Sequence, residues 1–334
     1  MTSQKLRAPH AGLSNAQSGG SWRNVALLVF VVLAWGLNWV VMKIVVQEVT
    51  PLWAVAMRTI LAVIVLAPIL LLTGQFIIPT RSDIPVVLAI ALFHMVAFAA
   101  LMAIGLKYVS AGRTIVLGYT TPLWVAPGAW LFLSEPIRPR QIIGIVLGLS
   151  GLLLMFDPNA FDWRDAKALL GNGLILCAAI FWSISILYTR AHQWTATPFQ
   201  LVLWQTVLAG ALLSALAFTF EGTPEISLSA SALLALAYNG VVGTALGYWA
   251  MTVVNKELPA ISTSLGVLGT PVVGIGLSAL ILGEAVDPKL MASALMILVG
   301  IAVGTRLPLP SWLSSALAAS LHRITARSNG SHTK

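Results

Sequence analysis

TPLWVAPGAWLFLSEPIRP at residues 121–139 and TPVVGIGLSALILGEAVDP at residues 270–288 are one passage written twice. Six of the 19 positions agree without a gap: Thr121 with Thr270, Pro122 with Pro271, Leu131 with Leu280, Leu133 with Leu282, Glu135 with Glu284 and Pro139 with Pro288. Leucine agreements carry little weight in an apolar chain; Thr-Pro, Glu and a second Pro at fixed spacing carry more. The same offset of 149 pairs Met102 with Met251, Lys107 with Lys256, Thr114 with Thr263 and Gly151 with Gly300. Nearer the start the offset is 147, pairing Trp35 with Trp182, Lys43 with Arg190 and Thr50-Pro51 with Thr197-Pro198. The chain therefore repeats itself.

Composition says where the repeats reside. Of 334 residues, 58% are hydrophobic and only 9% charged, with a mean hydropathy of +0.90. Soluble domains carry about 25% charged residues, so a bilayer is the natural solvent here. A membrane helix needs roughly 20 mainly apolar residues. Ten stretches qualify: 23–44, 51–73, 84–106, 112–133, 140–156, 172–190, 199–220, 229–253, 259–282 and 288–305. The apolar run after Arg23 is longer than a signal peptide's core of roughly 7–15 residues, which makes it a retained first helix. Each repeat holds five spans. Five is odd, so the second unit enters the membrane upside down, the arrangement of alternating-access carriers whose site lies where the repeats meet.

The expected fold is an all-α membrane protein, ten transmembrane helices forming two inverted five-helix repeats around a central cavity. The repeats cover 23–156 and 172–305, joined by a connecting loop at 157–171. A disordered tail precedes them at 1–22 and a second tail follows at 306–334. In that tail Trp312, Leu313, Leu317 and Leu321 recur at roughly helical spacing, read either as a helix lying on the membrane surface or as a frayed end. Lysine and arginine set orientation. With the N-terminus inside, about twelve of the 19 lie inside and about six outside, which places both termini in the cytoplasm of a cell whose inner membrane the chain spans.

Composition also removes functions. The net charge of +8 is spread between apolar spans instead of forming a basic and aromatic patch, so no nucleic-acid partner is expected. One cysteine, Cys177, permits neither a disulfide framework nor a cysteine metal site. The five histidines do not gather with acids, so neither a metal, a cofactor nor enzymatic catalysis is expected. No loop is long enough to hold a signalling domain, which weighs against a non-transporting sensor or partner protein. Two fused repeats suffice for a carrier, so a monomer is expected.

Four stretches resemble a known family. They are LAWGLNWVVMK (33–43), TPLWAVAMR (50–58), the run from GLKYVSAGRT (105–114) through Glu135 to GIVLGLSG (144–151), and its second copy from GTALGYWAM (243–251) to LGEAVDP (282–288). Together they look like the EamA-type, ten-helix branch of the drug/metabolite transporter superfamily, over about residues 24–305. The resemblance implies a carrier of small metabolites, often an exporter. The repeats depart from one another at Arg58, matched by Gln205, and at Asn38, matched by Ser185, so the cavity is expected to be chemically asymmetric.

Candidate substrate-binding residues are the polar and aromatic groups stranded inside spans. Arg58 sits about eight residues into the second span. Its guanidinium either holds an anionic or zwitterionic substrate or snorkels and caps carbonyls. His94, near the middle of the third span, either meets substrate or exchanges a proton, or is a neutral histidine bonded to a neighbouring helix. Trp35, Asn38, Tyr119, Trp182, Ser185 and Tyr248 line a small-molecule site or pack; Trp124, Asn239 and Trp249 belong to the same class. Trp35 and Trp182 hold equivalent repeat positions, which sets them facing across the pseudo-symmetry axis. Pro122 and Pro271 each free a carbonyl four residues back, at Gly118 and Val267, giving either hinges beside the pathway or static kinks. Glu135 and Glu284 stand at helix ends and fix loop geometry there. Since no Asp or Glu lies centrally in any span, a neutral, anionic or zwitterionic solute is expected over the alternative, efflux of cationic or lipophilic drugs.

Overall fold

A computed structural model describes residues 16–105, 107–109, 111–155, 165–224, 229–282 and 288–305. The connecting stretch 156–164, the tails 1–15 and 306–334, and Glu284 lie outside them. The described elements are helical throughout: α1 (Ala16–Val45), α2 (Pro51–Leu72), α3 (Ile84–Gly105), α4a (Ala111–Gly118), α4b (Thr121–Leu133), α5 (Pro139–Met155), α6 (Ala166–Ala191), α7 (Pro198–Glu221), α8 (Ala230–Glu257), α9a (Ala260–Gly266), α9b (Gly269–Leu282) and α10 (Pro288–Gly304). Seven runs, counting α9a with α9b, are long and apolar enough to cross a membrane, and α4b, α5 and α10 are shorter apolar helices. Large apolar side chains such as Leu72, Phe132, Leu234 and Leu280 are exposed, the surface a lipid-embedded helix presents. The sixth span begins at Ala166 instead of 172, because Asp165 caps it by accepting from the Lys167 amide. The polar residues Lys167 and Asn172 in its first turns hide that start from a hydropathy reading.

The repeat is visible in irregularities. Within α3 the backbone widens to a π-helix over Ile90–Phe98, and within α8 over Asn239–Leu246, 149 positions on. The fourth and ninth helices are interrupted at 119–120 and 267–268, just ahead of Pro122 and Pro271. Proline supplies no N–H, and the turn tightens instead: Thr120 N bonds Leu117 O at 3.2 Å, Leu268 N bonds Leu265 O at 3.1 Å, and Thr270 N bonds Val267 O at 3.0 Å. Interrupted helices at equivalent places in two halves are where membrane carriers put their sites.

Several helix pairs join the halves, two of them most extensively. Helices α2 and α7 run antiparallel, and α5 packs on α10. At the latter crossing a Cβ built on Gly144 would stand 2.6 Å from Gly300 O and 2.6 Å from the Gly304 Cα, so only glycine lets the backbones approach this closely.

Charged residues gather at the two rims. At the rim where α1 begins, Glu135 accepts from Arg190 Nε (3.2 Å) and from Ala260 N (3.1 Å), while Arg190 Nη1 donates to Lys256 O (2.6 Å). The residue before it, Ser134, is left-handed (φ 53°) and lets Glu135 N return to Ala129 O. Asp83 is fully buried and accepts from Thr195 N, Thr195 Oγ1 and Ala196 N, with His192 Nε2 at 3.1 Å. At the opposite rim Glu221 accepts from Leu52 N and Trp53 N and pairs with Lys107 at 3.5 Å. It caps α2, whose own Thr50 makes no side-chain cap, whereas Thr197 and Gln200 form a capping box on α7. Also there, Glu48 accepts from Ser229 N and Oγ, and these bonds hold its carboxyl below the ordinary carboxylate range. Glu48 corresponds to Thr195 at offset 147, and Ser229 to Thr80 at offset 149. Thr80 Oγ1 lies 3.2 Å from Thr195 Oγ1, so one pair of positions ties the loops at each rim, with the acid placed differently.

Asp83 supports a pH prediction. Burial alone would raise its pKa, but the bonds from Thr195, His192 and Ala196 outweigh burial and hold it down to about 2. A carboxyl depressed in the folded state stabilises above its unfolded pKa of about 4 and ceases to do so as pH falls through the folded value. The unfolding midpoint of the purified protein should therefore fall between about pH 4 and pH 2. Asp83→Asn should start lower and fall less over that window.

Candidate functional site

Between the rims, five of the expected residues meet in one aromatic cluster. Trp35 on α1 lies 5.6 Å from His94, 5.9 Å from Trp182 and 5.8 Å from Tyr248, measured between ring centroids. His94 stacks on Trp182 at 5.2 Å and 18° and approaches Tyr248 to 4.7 Å. Tyr119 meets the edge of Trp182 at 5.7 Å. Phe98, hidden from sequence reading by its apolar surroundings, completes the group at 4.9 Å from Trp182. The irregular backbone delivers them. His94 and Phe98 stand on the π segment of α3, and Tyr119 in the interruption between α4a and α4b. Trp182 is 1% exposed, His94 and Tyr119 3%, Tyr248 5%, so this conformation is closed over the cluster.

Glycines on α8 seat the first tryptophan. A Cβ on Gly247 would stand 2.6 Å from Trp35 Nε1, and that indole donates to Gly243 O at 3.0 Å. Gly243 corresponds to His94 at offset 149, so one repeat contributes a ring where the other contributes room for one.

The polar residues surround the rings unevenly. The Arg58 guanidinium lies close to the Tyr248 hydroxyl and within electrostatic reach of His94, while its Nε has no partner among the described residues. Asn38 stands one turn beyond Trp35, its Oδ1 buried and unpartnered beside Gly243. Ser185, its counterpart beyond Trp182, is 1% exposed with an unpartnered Oγ. Gln205, the counterpart of Arg58, is fully buried with neither amide atom partnered, and so is Asn239 at the start of the α8 π segment. Pro122 and Pro271 are buried at the two interruptions. Trp124 is 38% exposed and bonds Thr120, and Trp249 packs on Phe199; neither joins the cluster.

The described carboxylates stand at helix ends: Glu48, Asp83, Glu135, Asp165, Glu221 and Glu257. The centre thus offers a guanidinium, amides, hydroxyls and ring faces. Such a set can hold a small molecule by its carboxylate and its apolar body. A separate crevice of about 280 Å³ between α2, α3, α6 and α7 is lined only by apolar residues, Leu52, Val96, Phe181 and Phe220 among them.

Known proteins resemble this chain in sequence, and one in fold. An uncharacterized transporter of Bacillus subtilis, YoaV, is 25% identical over 83% of this chain and 95% of its own length. A probable amino-acid metabolite efflux pump of Salmonella typhimurium is 28% identical over 82% of this chain and 92% of its own. A protein named the same way in Escherichia coli is 25% identical over 84% and 94%. One solved crystal structure superimposes with a TM-score of 0.72 over 86% of this chain and 96% of that one, at 18% identity, a likeness of fold. The EamA-like transporter family matches residues 22–157 and again residues 169–306, in step with the repeat that the chain's own sequence spells out. The chain belongs to that family, within the drug/metabolite transporter superfamily, and is a multi-pass membrane transporter.

Proposed function

We propose that the protein exports a small amino-acid-like metabolite across the inner membrane by alternating access, with both termini in the cytoplasm and the aromatic cluster as the substrate site. The observation that carries this reading is the buried meeting of rings from both repeats beside Arg58, with polar atoms around them that lack partners among the described residues. Arg58 binds the carboxylate, the rings receive the apolar part, and the closed cluster is the occluded stage of the cycle. The interruptions at Pro122 and Pro271 act as hinges, because a helix without continuous bonds bends at low cost. The Glu135–Arg190 and Asp83–Thr195 ties close the cytoplasmic rim, and Glu221 and Glu48 close the other. Two relatives bear the name "probable amino-acid metabolite efflux pump", which favours the same substrate class and direction.

Ligand screening tests the reading. A ligand that binds the folded state raises its unfolding midpoint by mass action. Amino acids or related acids should stabilise the detergent-purified protein and exchange across proteoliposomes containing it. Stabilisation by cationic dyes alone would sink the reading in favour of drug efflux.

A further inference from the structure

Asn239 is a fully buried polar side chain beside the cluster for which neither ring packing nor Arg58 accounts. It is fully buried, and neither Oδ1 nor Nδ2 has a partner among the described residues. Burying an amide in that state is costly, so such groups are rare and call for an explanation. Its neighbour across the helix boundary is Asn38, whose Oδ1 is likewise buried and unpartnered. The two oxygens converge: a Cβ on Gly243 would stand 2.8 Å from Asn38 Oδ1 and 3.5 Å from Asn239 Oδ1. Two carboxamide oxygens close to one place repel each other, and a group that donates hydrogen bonds to both relieves that repulsion. The π segment brings them there, since its wider turn places Asn239 and Gly243 together on the side of α8 that faces α1.

We propose that Asn38 and Asn239 accept the ammonium group of the substrate, opposite the carboxylate grip of Arg58. The proposal rests on the amino-acid-like reading above and assigns that substrate's second charged end. Gly240, next to Asn239, packs against Leu61, one turn along α2 from Arg58, so α8 meets α2 near the turn that carries the guanidinium. Arg58 presents only donors and carries positive charge, whereas the carboxamides supply acceptor oxygens, so the carboxylate of a zwitterion goes to Arg58 and its ammonium to the oxygens. The repeat supplies the asymmetry. The counterparts of Asn239 and Asn38 in the other half are Ile90 and Ser185, which give no matching pair of carbonyls. An ammonium also sits well beside Trp35 and Tyr248, whose ring faces attract cations.

The test separates the two grips. Purified protein in sodium-free choline buffer is screened by thermal shift against the proteinogenic amino acids, then against the desamino acid and decarboxylated amine of each one that binds. Asn239→Leu should weaken binding of the amino acid about tenfold or more, the loss expected for a bond to a charged group, and leave the desamino acid unchanged. Asn239→Asp, which keeps an oxygen in place and adds negative charge, should bind the amino acid at least as well as the unaltered protein. If Asn239→Leu fails to fold, Gly243→Ala, which crowds Asn38 Oδ1, should show the same selective loss. An equal loss for amino acid and desamino acid overturns the proposal while leaving the functional reading standing. A loss seen in sodium but not in choline also overturns it, because the carbonyls then hold a metal ion. Stabilisation by no amino acid overturns both together.

Discussion

Replacing Arg58 with glutamine should lower the affinity for an amino-acid-like substrate about a hundredfold, the effect of losing two hydrogen bonds between charged groups at about 1.5 kcal/mol each. The fold should survive. Glutamine is what the second repeat already carries at the equivalent Gln205, buried with neither amide atom partnered. Removing a guanidinium whose Nε is buried and unpartnered also relieves a desolvation cost, so the unfolding midpoint without ligand should hold or rise. Arg58→Lys should recover only part of the affinity, because an ammonium cannot present two parallel N–H groups to a carboxylate. Tyr248→Phe should cost less than Arg58→Gln, since the hydroxyl stands beside the guanidinium without carrying charge. Equilibrium binding to the purified variants, beside proteoliposome exchange, checks all three. Unchanged exchange by Arg58→Gln would remove the carboxylate grip while leaving a transporter.

Much of the fold is legible in the sequence because the bilayer allows few alternatives. Apolar length gives the spans, and the paired Thr-Pro-to-Glu passages give the repeat and hence the inversion. The same pairing sets Trp35 against Trp182, whose rings lie 5.9 Å apart. What escapes is local geometry without a compositional mark. The π segment Ile90–Phe98 reads IALFHMVAF, an ordinary apolar run, yet it turns His94 and Phe98 toward the cluster together. Phe98 is one of 11 phenylalanines, and nothing local sets it apart. Asp83 and Glu221 look like ordinary loop acids, but their partners are 112 and 169 residues away. Only the fold brings a carboxylate to the exposed amides of α2 or to Thr195. The site is readable as a list of residues because polar groups in lipid are conspicuous. Which of those residues come together depends on which side of each helix faces inward.

The other large effect lies where the halves cross. At Gly144 an added methyl would meet Gly300 O and the Gly304 Cα, each at 2.6 Å, and at Gly300 it would meet Gly148 N at 2.7 Å. Backbone atoms cannot swing aside as side-chain ends can, so α5 and α10 must separate to admit it. Overpacking of this kind costs about 1–3 kcal/mol for small additions and more for larger ones. Gly144→Ala and Gly300→Ala should lower the unfolding midpoint by several degrees, and Gly144→Val should leave little folded protein. Gly173 and Gly276 provide the contrast, since nothing lies within 4 Å of a Cβ at either position and both are exposed on helices. Alanine there should stabilise by about 0.5–1 kcal/mol through the lower backbone entropy of the unfolded chain. The two pairs of variants therefore shift the midpoint in opposite directions, which separates close approach from the general cost of glycine in a helix. If Gly144→Ala raises the midpoint as Gly173→Ala does, the α5–α10 crossing is looser than its geometry indicates, and the join between the repeats rests on their other contacts, α2 with α7 first among them.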